Sequence, residues 1–233
     1  MPLNTFKTID NYGAMLNKLA SINFIVLLIL LHFISTQSEV VQKFLDGYSW
    51  EVTVVSLKIP IGYFLPCFVA ALFGRIIKLH DRISDLFRIR PWYDWIYILE
   101  PMLKEVGSKQ SKKVILNNRG SIMLKVFYKY ASSKDPNSVV DKHLIELVMD
   151  QLSWYWIVLE SSLSIFIATI ILLYLKCFDH VHVVFYIGLG LIVFAKTIQN
   201  GCSKYTKREV SKILEYPPRR KEIKDEFDAI SSQ

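Results

Sequence analysis

One acid stands where water is scarce. In "SWYWIVLESSLSIFIATIILLYLKC", residues 153 to 177, Glu160 lies among Ile, Leu, Phe and Val. A carboxylate in hydrocarbon is costly, so such a residue turns into a helix bundle or a wet cavity and takes a partner there. Glu160 follows Trp154 by about 9 Å of helix rise, and Trp154, Tyr155 and Trp156 mark a membrane interface. The acid therefore belongs to the inner third of the bilayer. Ser161, Ser164, Ala168 and Thr169 form a small, weakly polar face beside it, which favours close helix packing. Three arrangements accommodate the carboxylate. It pairs with a cation at similar depth, for which Lys18, Arg75 and Lys196 are the candidates. It joins a ring of equivalent acids around the axis of an oligomeric pore. Or it snorkels to water with no special role.

Other chemistry is sparse. The chain has no Walker loop, GxGxxG, GxSxG or HExxH pattern. His80 with Asp81 and Asp85 is the one compact polar cluster near a membrane segment, and on a helix Asp81 and Asp85 share a face. A solvated helix face accounts for it better than a metal site does. Cys67, Cys177 and Cys202 are far apart and lack a CxxC spacing, which fits small apolar thiols. The expectation is a protein without catalytic residues, metal or cofactor. An enzyme acting on lipid headgroups through His80, Asp81 and Asp85 is the weakest alternative.

The elements that position Glu160 are read from hydropathy. The chain has 233 residues, is 52% hydrophobic, and carries 28 Lys and Arg against 21 Asp and Glu, so apolar and charged stretches are segregated. A helical span needs about 20 apolar residues to cross about 30 Å of hydrocarbon. Four stretches qualify: Leu19 to Thr36, Ile59 to Ile77, Trp154 to Leu175 and Val181 to Gln199. The first reads as a retained span rather than a cleaved signal peptide. The second carries Pro60, Gly62, Pro66 and Gly74, which predicts a kink or an irregular start. In the fourth, Gly188 and Gly190 read as packing positions.

All but three of the basic residues, Lys43, Lys58 and Lys176, fall on one side of this arrangement. The positive-inside rule then places both termini and residues 78–152 in the cytoplasm of a bacterial inner membrane. The formal charge of +7 is explained by that orientation and by anionic lipid, so direct nucleic-acid binding is not expected. On the other side, residues 37–51 predict an amphipathic turn with Phe44, Tyr48 and Trp50 at headgroup depth, and residues 176–182 a tight hairpin.

The fold class is thus all-α integral membrane, with four transmembrane helices and a helical cytoplasmic insert between spans two and three. Its parts are residues 1–77, the insert 78–152, spans three and four at 153–199, and a basic tail at 200–233. The second span is expected to continue as an amphipathic helix to Pro91. Trp92, Tyr93, Trp95 and Tyr97 suit either a membrane interface or a small core; with Trp154 and Trp156, Trp92 and Trp95 are the candidate interface anchors. Residues 107–120 predict a polar loop, residues 121–131 a helix, and "SSKDPNS" a break. Ser138 with Asp141 resembles a capping box opening a helix of about 37 residues, from Val139 to Lys176. The final residues either dock on the insert, meet a partner, or stay disordered.

The phrases "HDRISDLFRIR", "ILEPML", "FYKYASSKDP" and "SWYWIVLE", in a layout of two spans, an insert and two spans, resemble small membrane proteins of bacterial anti-phage defence operons. Two kinds are similar: the four-span membrane subunit of the Kiwa system and the multi-span effectors of cyclic-nucleotide immunity. The first kind implies a homo-oligomeric sensor and anchor that holds a cytosolic effector through residues 78–152 and 200–233. The second implies a gated pore that permeabilises the membrane. Lack of a nucleotide-pocket motif favours the first. In either case the partners are the bilayer and further copies of the chain.

Overall fold

The computed structural model describes residues 9, 11–47, 51–54, 57–132 and 138–230. The expected break at residues 133–137, the aromatic pair Tyr48 and Trp50, and the side chain of Lys58 lie outside what is described. Nearly every described element is a helix. The exception is a short antiparallel ribbon, β1 (Glu51–Val54) with β2 (Leu57–Pro60), in the register Glu51 to Pro60 and Val54 to Leu57. The chain divides into two compact units: 13–80 with 153–198, and 81–152 with 199–230 and residues 9–12.

The first unit contains the apolar helices. Helix α1 (Tyr12–Gln37) begins seven residues before its apolar run, and α2 (Glu39–Gly47) follows directly, with the Ser38 hydroxyl accepting from the Val41 N–H at its first turn. Helix α3 (Ile61–Ile76) holds Pro66 internally. Along one edge α1 and α3 meet through Phe24 stacked edge-on to Phe64, the Tyr63 hydroxyl donating to Ser35, and Arg75 donating to Asn17. Helix α9 (Lys142–Tyr174) supplies Ile165, Ala168 and Leu172 to an apolar cluster with Ile34 and Val184. Gly188 of α10 (Val181–Leu214) lets the chains close up: a Cβ there would stand 3.1 Å from Phe166, and its carbonyl accepts from the Ser162 hydroxyl. Gly190, also expected to pack, faces open space.

Helices α1, α9 and α10 are each long and apolar enough to cross a membrane, and this is a multi-pass membrane protein. The fourth candidate span is different. Helix α3 is 16 residues long, about 24 Å of rise, and reaches span length only together with α4 (Leu79–Phe87), from which it is bent by 60°. The expected continuous helix to Pro91 is therefore broken twice, at Lys78 (φ 51°) and at Arg88 (φ 52°). Pro91 explains the second break. It lacks an N–H and constrains the residue before it, so the helix before it stops early and Pro91 sits in the first turn of α5 (Ile89–Asp94), where a missing donor costs little.

The second unit is a small helical domain. After α5 the chain passes through a π-helical turn, Trp95–Leu99, into α6 (Glu100–Val106). Helices α7 (Lys112–Asn117) and α8 (Arg119–Met123) and a second π-turn, Leu124–Tyr128, follow. The stretch expected to be a polar loop thus contains α7, capped by the Ser111 hydroxyl and anchored by fully buried Ile115. Its core includes Trp95, Leu99, Met102, Val126 and Phe127, with Ile145 from α9 and Ile213 from α10. Helix α11 (Pro217–Ala229) completes it with Ile223 and Phe227, so the C-terminal segment docks on its own chain. Lys125 pairs with Glu226 at 2.9 Å, and Arg219 donates to the Ile213 carbonyl at the end of α10.

At the start of α9 the cap is Asp141, whose carboxylate accepts from the His143 N–H at 2.7 Å. Ser138 instead donates to the Tyr130 carbonyl, so the helix opens three residues later than the expected capping box. Among the candidate anchors, Trp95 is a core residue of the helical domain and Trp156 is buried within the first unit. Trp92 is half exposed, and Trp154 is covered on one face by the Lys18 ammonium at 4.3 Å.

Candidate functional site

The break before α4 is what Glu160 serves. A helix that begins abruptly leaves its first N–H groups without intrahelical acceptors, and the aligned peptide dipoles make that end positive. Helix α4 begins at Leu79, directly after the left-handed residue Lys78. The His80 backbone N–H, in that first turn, donates to the Glu160 carboxylate. The acid reaches across from α9 and caps a helix other than its own.

Two side chains complete the arrangement. The Asn23 amide of α1 donates to Oε2 of Glu160, and Nδ1 of the His80 imidazole stands 4.0 Å from Oε1. Glu160 is 3% exposed and His80 1% exposed, so three helices converge on one carboxylate out of contact with solvent. The His80 ring lies 5.7 Å from that of Trp156, one turn before Glu160 on α9. Asn23 Oδ1 and Trp156 Nε1 are buried with no hydrogen-bond partner among the described residues. In the low dielectric of such a site each of these bonds is stronger than in water, and loss of one partner leaves the others stranded.

The small face expected beside the acid is present. Ser161, Ala168 and Thr169 are buried, and Ser164 is partly so. Ser164 spends its hydroxyl on the Glu160 backbone carbonyl at 3.0 Å and Thr169 on that of Ile165, so both bond within α9 and neither reaches the carboxylate.

The expected cationic partners are placed elsewhere. Lys18 lies over Trp154, Arg75 is exposed and donates to Asn17, and Lys196 is on an exposed face of α10. An amide, a backbone N–H and an imidazole take their place. The reason differs between them: Arg75 and Lys196 are exposed and extend outward, whereas Lys18 is buried and held over the Trp154 ring. Sequence reasoning missed Asn23 although its signal was present, a lone amide in "SINFIVLL". It missed His80 because reading α3 and α4 as one helix hid the free helix end.

The polar cluster considered for metal or headgroup chemistry does not converge. His80 faces Glu160, Asp81 accepts from the Tyr12 hydroxyl at 2.9 Å and pairs with Arg90 at 2.9 Å, and Asp85 is exposed. Among the described residues no group of three or more His, Cys, Asp or Glu is placed to hold a metal ion.

The helical domain has polar groups of its own. Asp94 is buried and takes an ion pair from Arg119; burial raises its carboxyl above the ordinary range, and the Arg119 charge opposes that rise. The Tyr93 hydroxyl donates to Cys202 at 3.2 Å and, its hydrogen so used, accepts from the Thr206 hydroxyl at 2.8 Å. Burial pushes the Cys202 thiol up to about 11, which makes it inert. Glu209, on the polar end of α10, is 3% exposed, and burial pushes its carboxyl up to about 8. It lies in "KREVSKILE", within the segment expected to be a basic tail.

Residues 11–228 match the model of the YmfE protein family, and the chain belongs to that family. It is similar to Uncharacterized protein YmfE of Escherichia coli (strain K12), 25% identical over 230 residues that cover 90% of this chain and 93% of the relative. No solved structure matches it.

Proposed function

We propose that this member of the YmfE family is a membrane anchor that couples the state of its membrane helices to a soluble partner. It acts as a homo-oligomer in the bacterial cytoplasmic membrane, with both termini and the helical domain on the cytoplasmic side. The observation that carries this reading is the continuity of α9 and α10, of 33 and 34 residues. Each is apolar in the first unit and contributes to the hydrophobic core of the second, through Ile145 in one case and Val210, Ile213 and Leu214 in the other. In this reading a change imposed on either span reaches that core along the helix itself. The Glu160 cluster holds α1, α4 and α9 together and acts as the latch that sets the resting arrangement. The distribution of basic residues supports the orientation. The layout shared with defence-operon subunits supports a role in sensing envelope damage during phage infection, and the chain itself carries no catalysis in this reading.

The gated-pore reading is less well served. Glu160 faces its own chain's Asn23 and His80, whereas a pore ring requires acids turned toward a symmetry axis. Native mass spectrometry of the protein extracted with its genomic neighbours present tests the proposal. The expected result is a defined homo-oligomer carrying a stoichiometric soluble chain. A bare oligomer that conducts ions in liposomes would overturn the anchor reading in favour of the pore.

A further inference from the structure

Helix α4 and the start of α5 present an unusual surface. On one side Ile83 and Ser84 are buried, and the Ser84 hydroxyl accepts from the Arg90 N–H at 3.0 Å. On the other side Arg82, Asp85 and Leu86 are exposed. The helix ends with Leu86 77% and Phe87 67% exposed, and then turns at Arg88, also exposed, toward half-exposed Trp92. A leucine and a phenylalanine bared together between two arginines suit neither of the simple environments. Water is the wrong one, because adjacent large apolar groups gain by leaving it. The hydrocarbon centre is also wrong, since Asp81, Arg82, Asp85 and Arg88 fall within eight residues. The layer where headgroups meet acyl chains accepts both kinds of side chain. The 60° bend away from α3 turns α4 out of the path a continued span would follow.

We infer that α4 is an interfacial anchor, with Leu86 and Phe87 inserted at the acyl boundary and Arg82 and Arg88 bound to the phosphates of anionic phospholipid. In this reading α4 lies in the headgroup layer and does not lengthen the apolar helix α3 into the hydrocarbon. Charge complementarity selects the lipid: Asp81 is engaged with Arg90 and Tyr12, which leaves Asp85 as the acid facing outward beside the two arginines. The inference rests on the multi-pass membrane assignment and is independent of the anchoring role, which mass spectrometry tests separately.

Spin labelling of the full chain in nanodiscs tests it. With the three native cysteines replaced by alanine, a nitroxide is attached through Phe87→Cys and, for comparison, through Ile170→Cys on the exposed apolar face of α9. In discs containing phosphatidylglycerol, the label at position 87 should be more accessible to oxygen than to an aqueous nickel chelate, and shallower than the label at 170. Replacing Arg82 and Arg88 by glutamine, or the lipid by phosphatidylcholine alone, should raise nickel access at 87 several-fold. Free nickel access in every disc would overturn the inference, as would a depth equal to that of position 170. Shielding from both reagents would assign the surface to a protein partner instead, and indifference to lipid charge would overturn the phosphate contacts. Both substituted side chains are exposed, and unchanged thermal unfolding checks that the fold is retained.

Discussion

Two glutamates in this protein are equally buried, each 3% exposed, and they live under opposite conditions. Glu160, in the membrane unit, is met by an amide, a backbone N–H at a helix start, and an imidazole. Glu209, in the helical domain, has no hydrogen bond or ion pair among the described residues; Tyr93, Tyr128 and Cys202 lie within its field. Burial alone therefore does not identify a working acid. What distinguishes Glu160 is a set of donors, drawn from two other helices, that converge on its carboxylate. Burying Glu209 yields a group that resists ionisation, which is a different property.

The largest effect should separate these two cases. Glu160→Ala strands the Asn23 amide and the His80 N–H and should cost about 3–5 kcal/mol, as breaking a buried charged network does, while Glu160→Gln keeps an acceptor and should cost far less. Thermal unfolding in detergent reads the difference, and equal losses would show that the site needs charge rather than shape.

At Glu209 the expected change has the other sign. Its folded pKa of about 8 lies above the ordinary 4.5, so between those values the folded state holds a proton that the unfolded state has released. Stability falls as pH rises through that window. Glu209→Gln should match the natural protein below the window and exceed it by on the order of 5 kcal/mol above pH 8. A melting-temperature difference independent of pH would remove the contrast between the two acids.

The smallest effect belongs to the pair Lys129 and Glu222, each nearly half exposed, where Lys129 holds the Glu222 carboxyl below its usual range. Its contribution is present above the ordinary glutamate pKa and lost as pH falls through the lowered one. Lys129→Ala should cost under about 1 kcal/mol, and less in high salt. A larger loss would show that docking of α11 depends on charge more than on Ile223 and Phe227.

The apolar helices were legible because each is a long run with one dominant property. Helix α10 starts at the expected Val181, α1 extends seven residues further back than its apolar run, and Glu160 stood out as an acid with no business in hydrocarbon. The break at Lys78 was not, since nothing in "GRIIKLHDRI" forbids a helix and no glycine or proline marks the turn. The domain core was half legible. "PWYDWIYILEPML" suited an interface or a core equally, because an aromatic ring next to a charge satisfies both, and packing against α10 and α11 decided in favour of the core for Trp95.

By itself, the sequence determined that this chain crosses a membrane several times, is helical, and carries an acid within an apolar helix. These follow from sums over neighbouring residues, since hydropathy and helix periodicity accumulate locally. Only the tertiary structure decided what the acid meets. Asn23, His80 and Glu160 are separated by more than fifty residues at each step, and their meeting depends on a helix break whose cost is offset only when a carboxylate from another helix receives its free N–H. That is a property of three segments at once, and no one of them contains it.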